Sequence, residues 1–325
     1  LPKPLNEFDL IKKYFQPLVD ADGPALSLLS DTAQFTPNPG HNLVFTKDMM
    51  VEGVHFCPDV DPKKLAKKLL RVNLSDLAAA GAKPLGYLLG FGGTDGVDAK
   101  WLAAFSSGLA EDQDEFGLTL WGGDTVKTSG PMVLSLTAIG EVLWGKGLTR
   151  QGASVGDAVY CTGVIGDGVL GLMALKGELP NDISPKTLIS RLEVPSPRID
   201  LGQQLSGLAS AMADVSDGLM ADLGHIAAAS GVGMEISGAF VPLSSNGKKF
   251  VKGSKGGLQM LVSGGDDYEL IFTAPGENHK TLMNLSEISG IAITAIGRVC
   301  SKTSVELLDS EGEKIQLPEK GFKHF

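Results

Sequence analysis

Residues 98–125 read D-A-K-W-L-A-A-F-S-S-G-L-A-E-D-Q-D-E-F-G-L-T-L-W-G-G-D-T, and their alternation decides the fold class. Asp98 begins a helix that Gly117 ends. The apolar stretch at 118–122 then reads as a strand, which runs into two glycines and Asp124. With a further strand predicted at 132–143, the stretch completes an α/β unit.

Upstream, P-L-G-Y-L-L-G-F-G at 84–92 reads as a buried strand. Asp61-Pro62 caps a helix that runs through Leu65, Leu69, Leu70 and Val72 toward Ala80. Short strands are predicted near 26–30, 42–48 and 51–56. Residues 6–19 predict an amphipathic helix with Phe8, Ile11, Tyr14 and Phe15 on one face. Downstream, Q-G-A-S-V-G-D at 151–157 forms a turn before the strand A-V-Y-C-T-G. Helices are expected at 167–177, 185–193, 198–211 and 218–230, and strands at 233–237, 258–263, 268–273, 291–299 and 303–308. Residues 244–257, polar, basic and glycine-rich, read as a mobile surface loop. The expected class is α/β (α+β) in two domains, 1–150 and 151–325. A chain of 325 residues accommodates two such cores.

Composition narrows the function. The chain carries 28 basic and 38 acidic residues, a net charge of −10, and gathers no basic stretch that could track a nucleic acid. Cys57, Cys161 and Cys300 are too scattered for a disulfide framework or a zinc site, which suits a reducing cytosol. No apolar run approaches the roughly 18 residues that span a bilayer, and no secretory signal is visible. The start at Leu1 implies a trimmed N-terminus.

Five motifs set aspartates among glycine, serine or threonine at the edges of apolar runs. They surround Asp48, Asp76, Asp124, the pair Asp214 and Asp217, and the pair Asp266 and Asp267. A carboxylate beside buried strand residues is costly unless a cation compensates it. Converging carboxylates suit a hard divalent ion, which takes oxygen ligands. Magnesium on aspartates, with glycine turns for backbone approach, is the equipment of phosphate chemistry. Taken singly, Asp76 and Asp217 also read as capping or turn residues. Ser-Asp precedes Gly-Gly-Asp at nearly equal spacing in each half, which predicts two related halves facing one another across a cleft.

Other features have ordinary readings beside functional ones. G-D-G-V-L-G at 166–171 matches a dinucleotide fingerprint, yet only the turn residue Asp182 stands near the expected acidic position. A tight strand-to-helix turn is the preferred reading, and its amides could still face an anion. No P-loop motif occurs. His55, beside an expected strand end, reads alone as a core or edge residue. Arg150 lies at the proposed domain junction, where an interdomain ligand would find it. Phe322 and His324 read as the tail's anchor.

These segments together resemble the thiamine-monophosphate kinase family, of the superfamily that includes aminoimidazole ribonucleotide synthetase and selenophosphate synthetase. The similarity runs from E-F-x-L-I through V-E-G-V-H-F, N-L-S-D-L-A-A-x-G-A, G-G-D-T, L-T-R-x-G-A-x-x-G-D, S-D-G-L-x-x-D-L-G-H and S-G-G-D-D-Y-E-L to G-F-x-H-F. The resemblance implies a cytoplasmic homodimer, its N-terminal mixed sheets joined into a barrel, that uses ATP and magnesium to phosphorylate thiamine monophosphate. It implies magnesium ligation by Asp31, Thr46, Asp48, Asp76, Asp124, Asp214 and Asp217. It also implies ATP contacts from Gly123, Asp124, Arg150 and Ser216, substrate contacts from His55, Asp266 and Phe322, and catalytic roles for Asp124, Arg150 and Asp217. The chain departs from the family pattern at Ser30 and Lys47, and Asp266 stands where glutamate is frequent. Strand alternation would point Lys47 away from Asp48. The acceptor phosphate is largely ionised at neutral pH, so in-line transfer needs no general base. Another ATP-dependent synthetase of the superfamily and a silent nucleotide-binding homologue are the alternatives.

Overall fold

The structure, a computed structural model, describes residues 7–317; Phe322 and His324 lie outside them. The chain forms two compact units, Leu1–Leu77 with Ala82–Trp144, and Ala78–Gly81 with Gly145–Phe325.

In the first unit, α1 (Glu7–Leu10) leads through short helical turns to β1 (His41–Val51) and α2 (Pro62–Ala79). There follow β2 (Lys83–Gly93), α3 (Ala99–Phe116), β3 (Thr119–Lys127) and β4 (Val133–Leu143). The sheet order is β1-β4-β2-β3. Only β2 and β3 run parallel, so the sheet is mixed. The opening stretch folds as its residues dictate: the Asp98 carboxylate accepts the Trp101 amide at 2.7 Å, and Gly117 ends α3 in the left-handed region. Register decides which face each side chain takes. Met50, Leu89, Leu134 and Leu136 are buried on one face, while Phe45 (61% exposed), Met49 (52%) and Leu88 (39%) lie on the other.

The second unit contains β5 (Ala158–Thr162), α4 (Asp167–Lys176), α5 (Pro185–Glu193), α6 (Ile199–Leu205) and β6 (Ala211–Asp214). It continues with α7 (Leu219–Ser230), β7 (Gly233–Ser237), α8 (Ser245–Gly253), α9 (Gly257–Ser263) and β8 (Leu270–Ala274). The last elements are α10 (His279–Ser289), β9 (Ile293–Cys300) and β10 (Val305–Leu308). Its sheet order is β10-β7-β9-β5-β8-β6. Val215, Leu223, Ile236, Val262 and Ile271 belong to its main core.

Several expectations are corrected. Residues 258–263 are helical, because Leu258, Leu261 and Val262 follow helical spacing and the last two are fully buried. The expected loop at 244–257 holds α8, which Ser244 caps by accepting the Gly247 amide and Phe250 anchors in a core. Residues 26–28 form a 3-10 turn, and 51–56 fold back as a turn closed by the Gly53 amide on the Phe56 carbonyl at 2.8 Å. The helix expected over 6–19 breaks into short turns that leave Phe8 80% exposed. The helix expected at 198–211 stops at Leu205, and Ala211 opens β6. The two units do not repeat one another. Asp76 sits in the last turn of α2 and Asp217 in a turn before α7, so the shared three-residue motifs have different local structures.

Candidate active site

In the first unit, helix placement comes before the site. Buried Arg71 on α2 donates from Nε and Nη2 to Asp112 on α3, at 2.8 and 2.7 Å. This pair fixes the helix that carries Asn73 and Asp76. Asn73 Oδ1 accepts the Asp48 amide at 3.1 Å, satisfying a donor of the edge strand β1. The Thr46 hydroxyl donates to Asp76 Oδ2. Burial, and then the charge of Asp76, lift the Asp48 carboxyl to about 6. Thr46, Asp48 and Asp76 thus supply hard oxygens where negative charge accumulates, a donor set that fits magnesium. Lys47 takes the opposite face, as alternation requires, and donates to Ser135 Oγ at 2.5 Å.

The remaining residues of this unit lie elsewhere. Register sets Asp124 in a row with Gly90, Ser135 and Met49, whereas Asp48 shares its row with Leu136, Leu89 and Gly123. Asp124 therefore departs from the face opposite to Asp48. It is exposed and accepts the Thr125 amide at 2.9 Å. Asp31 and Asp124 both line a cavity of about 810 Å³, walled by Phe35, Phe45, Leu88 and Trp121. A Cβ on Gly123 would lie 1.9 Å from the Leu89 carbonyl oxygen, so only glycine fits there. His55 Nδ1 accepts the Val51 amide at 3.0 Å, which leaves the ring proton of the neutral form on Nε2. The aspartates expected to gather thus divide: Asp48 and Asp76 meet, while Asp31 and Asp124 share the cavity.

In the second unit, Asp214 is buried at the end of β6, and Ser216 and Asp217 occupy the turn before α7. Asp222 organises that turn. Its Oδ2 accepts the amides of Ser216, Asp217 and Gly218, each at 3.1 Å. Burial first, and the Asp217 charge second, raise the Asp222 carboxyl to about 7, while the Arg150 guanidinium acts in the opposite direction. Arg150 is exposed, and its carbonyl accepts the Ser230 hydroxyl at 3.1 Å. Asp217, Asp222 and His225 place one candidate ligand atom each within 4.8 Å of the others.

The same turn is joined to the Asp266 segment. The Asp266 amide donates to the Ser216 carbonyl at 3.0 Å, and a Cβ on Gly265 would lie 1.9 Å from that oxygen. The group facing the amides before α4 belongs to the chain itself, since Gly166 and Gly168 donate to the Asp267 carboxyl at 2.7 and 3.0 Å. The G-D-G-V-L-G turn is thereby accounted for without a dinucleotide.

Comparison with known proteins decides the family. The family described as AIR synthase related protein matches by its N-terminal domain over residues 29–142 and its C-terminal domain over 154–310. A thiamine-monophosphate kinase of Caulobacter vibrioides is 41% identical over 297 residues, spanning 90% of this chain and 84% of that protein. The chain belongs to the thiamine-monophosphate kinase family. The crystal structure of a thiamine-monophosphate kinase from Stenotrophomonas maltophilia superimposes with a TM-score of 0.84 at 35% identity. It covers 96% of this chain and 98% of its own. The AaThiL structure complexed with AMPPCP and TMP superimposes at 0.78 with 30% identity, covering 89% of each chain.

Within this family chain, sequence reasoning passed over Asp222 and His225. The available signal was their spacing: three residues apart on α7, they share one helical face behind the Asp217 turn. Glu269 was passed over too, and the partners of Asp267 were not anticipated, although two acids entering a buried strand demand partners.

Proposed function

We propose that this chain transfers the γ-phosphate of ATP to thiamine monophosphate, giving thiamine diphosphate and ADP. Inside this chain, the observation that carries the reading is the Thr46–Asp48–Asp76 cluster, where two carboxylates and a hydroxyl meet and the second charge is disfavoured. A relative that binds AMPPCP and TMP supports both substrates.

In this reading Thr46, Asp48 and Asp76 would hold magnesium at one position and Asp31 and Asp124 at another, with Asp214 and Asp217 as ligands from the second unit. Bound by these oxygens, the metal supplies charge neutralisation for the triphosphate and the transferring group. Gly123 offers backbone to ATP at a position where no side chain fits. The Arg150 guanidinium faces the anionic phosphates, and Ser216 contacts them from a turn that Asp222 holds rigid. His55 donates from Nε2 toward the substrate phosphate. Asp266 balances the cationic thiazolium, and Phe322 stacks on a ring. Asp124, Arg150 and Asp217 carry catalysis. The acceptor oxygen is already ionised, so transfer proceeds directly, in line, without a phosphoenzyme.

The exposed apolar face of the first unit's sheet, with Phe45, Met49 and Leu88, supports a homodimer in which two such faces close a barrel. The free cysteines, one of them exposed, suit the reducing cytosol.

ADP release measured with and without thiamine monophosphate tests the function. We expect release that depends on it, a fall of about 100-fold in kcat for Asp76→Asn, and loss of the magnesium-induced rise in Tm in that variant. A silent binder releases no ADP, and a synthetase with another substrate shows no dependence on thiamine monophosphate. Undiminished turnover in Asp76→Asn would end the assignment of the cluster.

A further inference from the structure

We propose that Tyr268 is a positioning residue for the acceptor substrate: its hydroxyl fixes the Asp266 carboxylate in the orientation that receives the cationic ring. The inference rests on the reading of Asp266 given above and adds the residue that prepares it.

Four consecutive residues carry the argument. Asp267 and Glu269 turn inward and are fully buried or nearly so. Asp267 accepts the Gly166 and Gly168 amides. Glu269 accepts Arg198 at 2.8 and 2.6 Å, the Thr162 hydroxyl at 2.7 Å, and Arg191. Between and before these anchors, Asp266 and Tyr268 both adopt left-handed backbone, with φ of +65° and +50°. A non-glycine residue in that region costs roughly 1 kcal/mol or more, and it persists only where its surroundings over-determine it. Here the surroundings do so. The Tyr268 amide donates to the Val215 carbonyl at 2.8 Å, and the Asp266 amide donates to the Ser216 carbonyl.

This arrangement brings the two half-buried side chains together. The Tyr268 hydroxyl donates to Asp266 Oδ1 at 2.9 Å. A hydrogen bond from a hydroxyl to an ionised carboxylate is directional and stronger than a neutral one. It holds the carboxylate in one orientation before substrate arrives, which lowers the ordering cost of binding. Because Asp266 is also bonded to the Ser216 carbonyl, its position is set relative to the Ser216–Asp217 turn as well.

The test is kinetic. Tyr268→Phe removes the donor and keeps the ring. We expect KM for thiamine monophosphate to rise about tenfold, with kcat and KM for ATP changed less than about twofold. In an Asp266→Asn background, adding Tyr268→Phe is expected to raise that KM no further, because the charged acceptor is already gone. If Tyr268→Phe leaves KM for thiamine monophosphate unchanged while Asp266→Asn raises it, positioning by Tyr268 is refuted and Asp266 keeps its role. If Asp266→Asn itself leaves KM unchanged, the reading of Asp266 falls and takes the inference with it. Equal shifts in both substrates' KM, or full additivity in the double variant, would mark a merely structural tyrosine. Should Tyr268→Phe not fold, 19F NMR of 3-fluorotyrosine at position 268 decides. A resonance shift with thiamine monophosphate and none with ATP supports the proposal, and no shift with thiamine monophosphate overturns it.

Discussion

Asp267 is a buried carboxyl whose pKa burial lifts from an ordinary 3.8 to about 7, against the opposing pull of two amides and Arg191. Between those values the folded chain binds its proton more tightly than the unfolded chain does. Its contribution to stability is therefore fully present below about pH 4 and is lost as pH rises through 7. Asp222, raised to about 7 by burial and by Asp217, acts in the same direction. For Asp267→Asn we expect the Tm difference, wild type minus variant, to be larger at pH 5 than at pH 8. A difference that grows with pH would show that the carboxyl is held ionised instead. At this scale the sequence showed that acids stand at strand ends, and it left open which are ligands and which are braces. Asp48 and Asp267 look alike in the chain, yet one adjoins Asp76 and the other is taken up by Gly166 and Gly168.

Among elements, the approach of the segment before β8 to the turn before α7 is the tightest in the second unit's proposed half of the site. Gly265 permits it, because any Cβ there would overlap the Ser216 carbonyl. Gly265→Ala is expected to destabilise the fold by about 2–4 kcal/mol and to lower kcat/KM by at least about tenfold, since Ser216 and Asp266 must separate. Thermal melts and steady-state kinetics check both. An alanine variant with unchanged Tm and activity would show that the turn yields freely. The long elements α2, α3, β2 and β4 were legible because each has a capping signal or an extended apolar run. The segment Gly257–Ser263 was misread because a short apolar run suits strand and helix alike. Burial of Leu261 and Val262 in neighbouring cores settled it.

On the scale of the whole molecule, the sheet of the first unit leaves Phe45, Met49 and Leu88 uncovered on one face. Large exposed apolar surfaces on soluble chains mark association sites. Phe45→Glu is expected to shift the assembly from dimer to monomer in sedimentation or light scattering; a wild type that is monomeric at micromolar concentration would refute the homodimer. The sequence by itself determined the α/β class and the family, because motif residues and the pattern of apolar runs are local properties of the chain. Tertiary structure alone decided that Thr46 meets Asp76, that Asp124 takes the face opposite to Asp48, and that the G-D-G turn is filled by Asp267. The reason is register: a shift of one residue exchanges the faces of a strand, and pairing between segments far apart in the chain is set by packing that no local motif encodes.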